Sequence, residues 1–264
     1  MKLRKALEKA KSQRQENKVL EAGTETETDI RKAQKNGWAA PVYSRSRPCR
    51  INPEVAERYR SVCLNPSAAE IEQYKILRTH IKNRSASKPI KTVMLTSAWS
   101  QEGKTVTCIN LGLVFSRSMN QTVLLVDCDL KGQDIHRYLG VESKNSLIDY
   151  FLDDMPLNDL IVWPGVDKLT LISGSRTIMD SSELLSSHLM AKLVQEMKDR
   201  YDDRYVFFDA PPVLERSEAI SLAPLMDGVI MVVEAGKTAK KDIIKAANLL
   251  PKENFLGFVL NKQK

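Results

Sequence analysis

The sequence predicts an α/β fold: a doubly wound, mostly parallel sheet with helices on both faces. Three observations carry that reading. From about residue 90, short apolar runs alternate with helical stretches of ten or more residues, as a parallel sheet covered on both sides requires. The longest apolar runs, such as Val123–Val126 and Val229–Val233, are strand-length and far short of a bilayer span. At 264 residues, with 42% hydrophobic and 28% charged side chains, the chain suits one large domain with an arm. That composition excludes a wholly disordered chain and a disulfide-built miniprotein.

The elements follow in order. Residues 1–18 mix basic residues with good helix formers, and Leu3, Ala6, Leu7 and Ala10 fall at helical spacing on a thin apolar face. Residues 21–60 read as linker, with a Glu/Thr run, a basic stretch and Pro41, Pro48 and Pro53. The expected division is therefore a basic, largely flexible and mobile arm over 1–60 and a folded domain over 61–264. Ser67 is positioned to cap a helix through Ala69–Ile81, with Ile71, Tyr74, Leu77, Arg78 and Ile81 at three- and four-residue steps. Strands are expected at Thr92–Thr96, Thr122–Asp127, Leu169–Ser173, Tyr205–Asp209, Gly228–Glu234 and Phe255–Leu260. Helices are expected at Lys104–Arg117, Ser182–Arg200 and Ala239–Leu249.

Charge separates the two parts. Residues 1–60 hold 15 Lys/Arg and 8 Asp/Glu, an excess equal to the whole chain's +7, so residues 61–264 are balanced. A neutral domain gives no sign of a nucleic-acid partner. The start MKLRKALEKAKSQRQ is basic but has neither the apolar stretch nor the small-residue cleavage site of a secretory leader, so a cytoplasmic location is expected. Cys49, Cys63, Cys108 and Cys128 form no CxxC pair, which argues against a structural disulfide or a zinc site.

The chemistry begins after the first expected strand. Ala98-Trp-Ser-Gln-Glu-Gly-Lys-Thr105 fits the phosphate-loop template with Ala98 in place of its first glycine. In such a loop the backbone N–H groups of Ser100, Gln101, Glu102, Gly103, Lys104, Thr105 and Val106 face phosphate oxygens at a helix N-terminus. The lysine bridges phosphates, and the hydroxyl of Thr105 binds Mg²⁺. A bare Gly-Lys-Thr recurs by chance, but here a strand precedes it and a helix follows. Leu124-Leu-Val-Asp-Cys-Asp129 puts Asp127 and Asp129 at the carboxyl edge of a strand, where ligands bind in open α/β sheets. One acid can hold the metal through water while the other accepts a proton. Tyr205-Val-Phe-Phe-Asp209, followed by Ala210-Pro211-Pro212, ends another strand in a third acid that orients Mg²⁺. Together these motifs point to a Mg-nucleotide site for phosphoryl transfer or hydrolysis.

Lys104–Leu111, Asp127-x-Asp129, Ser173–Ser187 with Glu183-Leu-Leu, Asp209-Ala-Pro-Pro and Leu260-Asn261-Lys262 resemble the bacterial tyrosine kinases of capsule and exopolysaccharide synthesis, a branch of the deviant-Walker ATPases. The similarity runs over roughly residues 67–262, in motif order. It implies an autokinase using ATP and Mg²⁺, with Lys104, Asp127 and Asp129 catalytic, Thr105, Asp127 and Asp209 at the metal, and Asn261 near the base. It also implies a membrane-embedded polysaccharide chain-length (co-polymerase) protein as activator, which would hold the kinase at the inner face of the membrane. The family's oligomerisation motif stands here as Glu72-x-x-Lys75-x-x-Arg78, so a homo-oligomer is implied, with lysine lacking arginine's bidentate fork.

Two departures qualify that picture: Leu130-Lys131-Gly132-Gln133 follows the second acidic motif where typical members carry Leu-Arg and a nearby proline, and the family's C-terminal tyrosines are not found in their usual place. Trp99 stands where the partitioning and division-site ATPases carry an extra lysine, which favours the kinase branch. The family's acceptor tyrosines cluster near the C-terminus, whereas no tyrosine follows Tyr205 here. Tyr43 and Tyr59 in the arm, a partner protein, or a nucleotide-switched ATPase without kinase activity remain as alternatives. The arm itself reads as a solvated tail, a lipid-binding segment or, preferred here, a docking segment for the membrane partner.

Overall fold

The computed structural model describes residues 47–86 and 88–263. The helix expected over residues 1–18, and Tyr43, lie outside the described residues. The eight-stranded sheet has the order β1-β4-β5-β3-β6-β2-β7-β8, with β1 Arg47–Pro48, β2 Thr92–Ser97, β3 Thr122–Asp127, β4 Val162–Trp163, β5 Leu169–Ile172, β6 Arg204–Asp209, β7 Gly228–Glu234 and β8 Phe255–Asn261. Every pairing is parallel except β4 with β5. β2, β3 and β6 are buried along their whole length, which is why they read as unbroken apolar runs.

Alternate residues of these strands feed two cores. Met94, Leu124, Val126 and Phe208 point to one face, and Val93, Leu95, Leu125 and Phe207 to the other. The second face is covered by α2 (Ile71–Ser85) and α3 (Lys104–Ser116). α3 is apolar nearly all round and sits inside the molecule, with Gly112 so close to β3 that a Cβ there would lie 2.6 Å from Leu125. The first face is covered chiefly by α8 (His188–Asp199), whose Met190, Leu193, Val194 and Met197 form a helical stripe.

Four features depart from the sequence reading. Residues 47–60, assigned by composition to the arm, are built into the domain. β1 pairs with β4, and α1 (Pro53–Arg58) starts on an Asn52 cap that accepts from the N–H groups of Glu54 (3.1 Å) and Val55 (3.2 Å). Ala56 is fully buried. α2 begins at Ile71 and not at Ser67, because Asn65 Oδ1 takes the Ser67 N–H (3.0 Å) into a turn. The helix expected over Ser182–Arg200 is two, α7 (Ser181–Leu185) and α8, separated where Ser187 turns extended and caps Met190 N–H at 3.2 Å. Between β3 and β5 lie α4 (Ile135–Leu139), α5 (Leu147–Asp153) and α6 (Leu157–Leu160), too short to show a helical period. α9 (Glu218–Leu222) and α10 (Lys240–Asn248) complete the helices among the described residues.

Asn110 of α3 ties the first segment to the core. Its Nδ2 donates to Arg60 O (2.9 Å) and Val106 O (3.0 Å), and its Oδ1 accepts from Cys63 N–H (2.9 Å). Removing the amide strands a buried N–H and a carbonyl. Asn110→Ala is therefore expected to lower unfolding stability by about 2 kcal/mol, read from urea denaturation.

Candidate active site

The loop between β2 and α3 is shaped by backbone that ordinary residues rarely adopt. Gln101 has φ 65° and Gly103, at the α3 N-cap, has φ 95°. A Cβ on Gly103 would fall 2.0 Å from Asn261 Nδ2, so only glycine fits there. The loop is then held from three sides. Trp99 N–H donates to Glu102 Oε2 (3.0 Å) and the Thr238 hydroxyl bonds Oε1 of the same side chain. Asn261 Nδ2 donates to Glu102 O (2.8 Å), Lys262 Nζ to Gln101 O (2.6 Å), and Ser100 N–H to Glu215 Oε1 (3.0 Å).

The three acids converge on this loop by register. β3 and β6 pair so that Asp127 faces Asp209, and both are fully buried. Lys104 Nζ lies 3.2 Å from Asp129 Oδ2 and 3.6 Å from Asp209 Oδ1, and the Thr105 hydroxyl donates to Asp209 Oδ2 at 2.6 Å. Asp127 Oδ2 accepts from the Ser173 hydroxyl (2.9 Å) and from the N–H groups of Asp134 (2.9 Å) and Ile135 (3.0 Å). Asp127 therefore also anchors the start of α4. Asp129 takes a second cation, the Arg216 guanidinium.

Burial raises the carboxyl pKa of both Asp127 and Asp209, and Asp209's charge pushes Asp127 further up. Burial alone would lower Lys104, but Asp209, Asp129 and Asp127 outweigh it and hold the ammonium above its ordinary value. Among the described residues no cluster of three or more His, Cys, Asp or Glu could hold a metal. Mg²⁺ needs no such cluster, since it keeps several waters and takes one or two protein oxygens plus phosphates. The hard oxygens of Thr105, Asp127 and Asp209 suit it, and Asp209 Oδ1 is a buried atom with no hydrogen-bond partner.

Of the expected site residues, Ser100–Val106, Asp129, Asp209 and Asn261 meet around the loop, with Asp127 one strand away in register. Glu72, Lys75 and Arg78 lie apart on α2. Glu72 and Lys75 pair with each other at 2.5 Å, while Arg78 donates to Val114 O (2.8 Å) and Ser118 Oγ (3.0 Å) at the end of α3. Above Lys104 and Thr105 opens a cleft of ≈ 440 Å³, bounded also by Tyr59, Tyr138, Asp129 and Arg216. A second cleft of ≈ 850 Å³ adjoins it past Val106 and Asn261.

Residues 91–253 match the sequence family described as an AAA domain. Tyrosine-protein kinase YwqD of Bacillus subtilis is 33% identical over 201 residues, 75% of this chain and 84% of the relative. The chain belongs to the bacterial tyrosine-kinase family of P-loop proteins. Tyrosine-protein kinase CpsD of Streptococcus agalactiae is 26% identical over 194 residues, 72% of this chain and 82% of its own. The kinase domain of the Escherichia coli tyrosine kinase ETK shares the fold, with a TM-score of 0.70 at 23% identity over 88% of this chain and 94% of that one.

Within this bacterial tyrosine-kinase fold, sequence reasoning named Tyr59 as a candidate acceptor but missed its neighbours at the cleft, Arg58, Arg60 and Tyr138, and missed Glu215, Arg216 and Thr238. Glu215 and Arg216 come two residues after the Pro211-Pro212 exit from β6, a charged pair near a sheet edge that could have flagged them.

Two outcomes follow. Gly103→Ala is expected to weaken nucleotide binding on the order of tenfold or more, by titration calorimetry, because the new Cβ displaces Asn261. The raised carboxyl pKa values mean that the folded, ligand-free site holds protons the unfolded chain has lost above pH ~4. The pair's contribution to stability is thus present at low pH and falls as pH rises through the folded-state values. Mg-nucleotide, which needs the ionised acids, should bind with proton release. Calorimetry in buffers of different ionisation enthalpy measures it.

Proposed function

We propose that this chain is a Mg-ATP-dependent protein-tyrosine kinase that phosphorylates itself and regulates exopolysaccharide or capsule synthesis and export. The observation that carries the reading is Lys104 held between Asp129 and Asp209, with Thr105 bonded to Asp209, beneath one cleft in a chain 33% identical to a tyrosine-protein kinase. In this proposal the N–H groups of Ser100–Val106 cradle the phosphates and Lys104 neutralises the transferring group. Thr105, Asp127 and Asp209 hold Mg²⁺, which supplies charge neutralisation between the β- and γ-phosphates. Asp127 or Asp129 receives the phenol proton, and Asn261 lies on the base side.

The remaining assignments rest on the resemblance. A membrane-embedded polysaccharide chain-length protein acts as activator and brings the kinase to the inner face of the membrane. Glu72, Lys75 and Arg78 take part in a homo-oligomer, with the Glu72–Lys75 pair free to exchange partners at the surface and Arg78 bracing α2 on α3. The domain assigned to residues 61–264 extends upstream to include 47–60, which pack on it.

The test is incubation with γ-labelled ATP and Mg²⁺, scoring phosphotyrosine and free phosphate side by side. Lys104→Met should reduce phosphotyrosine formation by about a hundredfold or more. Free phosphate without phosphotyrosine, from the native chain or in a partner protein, would replace the kinase with a nucleotide-switched ATPase.

A further inference from the structure

A kinase cleft needs an acceptor hydroxyl, and the chain carries seven tyrosines. Among the described residues, Tyr59 and Tyr138 line the cleft that exposes Lys104, Thr105 and Asp129. Tyr205 is buried in β6 against Phe115 and Phe207. Tyr74 borders the neighbouring cleft, its phenol pushed up to about 12 by burial. Tyr150 and Tyr201 line neither cleft.

The two candidates differ in what holds them. Tyr138 stands on α4, whose start is fixed by the Asp134 and Ile135 N–H bonds to Asp127. Tyr59 is the residue at which α1 ends, half-buried, and Arg58 and Arg60 on either side line the same cleft. Its ring lies flat on Tyr138, with centroids 4.3 Å apart and planes 8° from parallel. The stack orients the ring, and the flanking guanidinium groups favour approach of phosphate oxygens.

We propose that Tyr59 is a phosphoacceptor of this active site, modified within its own chain. The proposal rests on the kinase reading and names its substrate. The Tyr59 phenol oxygen bonds to the γ-phosphorus of ATP as the bond from that phosphorus to the β–γ bridging oxygen breaks. ADP leaves with the electron pair, and the phenol proton passes to the carboxylate of Asp127 or Asp129. Because α1 is tethered to the domain through the Asn110 bonds to Arg60 and Cys63, acceptor and donor meet without a second molecule. The product phosphate stays beside Arg58 and Arg60 and fills the acceptor side of the cleft, so modification stops at one phosphate there.

The experiment incubates the full chain with Mg-ATP over about a hundredfold range of protein concentration, where an intrachain reaction keeps one rate constant. Phosphotyrosines are mapped by tandem mass spectrometry, and a soluble glutamate–tyrosine copolymer serves as a second acceptor. The expected result is phosphate on Tyr59 at a concentration-independent rate. In Tyr59→Phe, which keeps the ring stack, the concentration-independent labelling should fall about tenfold or more. Phosphate only on other tyrosines, or a Tyr59 rate that rises with protein concentration, overturns the proposal. Labelled copolymer with unmodified Tyr59 overturns it while leaving the kinase reading intact. No phosphotyrosine on either acceptor overturns both.

Discussion

The structure around the site depends on one buried ammonium placed among three strand-end carboxylates. Lys104 cannot sit inside the protein uncompensated, because removing an ammonium from water costs several kcal/mol even after relaxation. Asp129 and Asp209 supply the compensation at 3.2 and 3.6 Å, and the parallel register of β3 and β6 brings Asp127 alongside. The cluster is nonetheless over-supplied with negative charge. Protons on the Asp127–Asp209 pair and the Arg216 guanidinium on Asp129 absorb the surplus. A site balanced in this way is an incomplete electrostatic circuit, with charge left to be matched by whatever binds there.

That constraint explains why a domain of only slight net charge, +2 over residues 47–264, can still suit a strongly anionic ligand. The cleft presents an anion with the loop's N–H groups, Lys104 and Arg216, and with Arg58 and Arg60 from the end of the segment that carries the chain's +7 excess. Long-range steering by net charge and short-range recognition at a helix N-terminus are separate devices.

How much could be read in advance follows from where information resides in the chain. β2, β3, β6 and β7 are buried along nearly their whole length because both faces are covered, so their existence, and the aspartates that end β3 and β6, were legible. The loop Ala98–Thr105 was legible because its backbone demands glycine and its chemistry demands lysine. Residues 47–60 were misassigned because prolines and charges dominate their composition. Pro53 in fact occupies the first turn of α1 behind an Asn52 cap, a local signal stronger than composition. The roles of Thr238 and Lys262 toward the loop had no local signature. Each acts on a loop more than a hundred residues distant, and only the crossovers of the sheet decide that they meet.

The bonds from Asn261 and Lys262 to the loop have a bearing on the order in which the protein matures. They join residues about 160 positions apart, and both partners sit at the end of β8, which pairs only with β7 at one margin of the sheet. Closing so long a stretch of chain is a late event in folding. The central strands can assemble and bury Lys104 with its acids before β8 arrives, yet the loop gains its Asn261 and Lys262 anchors only once β8 has docked. Nucleotide competence is thus an attribute of the finished sheet: a nascent chain that has folded its centre but not its margin would be native-like in its core and still catalytically silent.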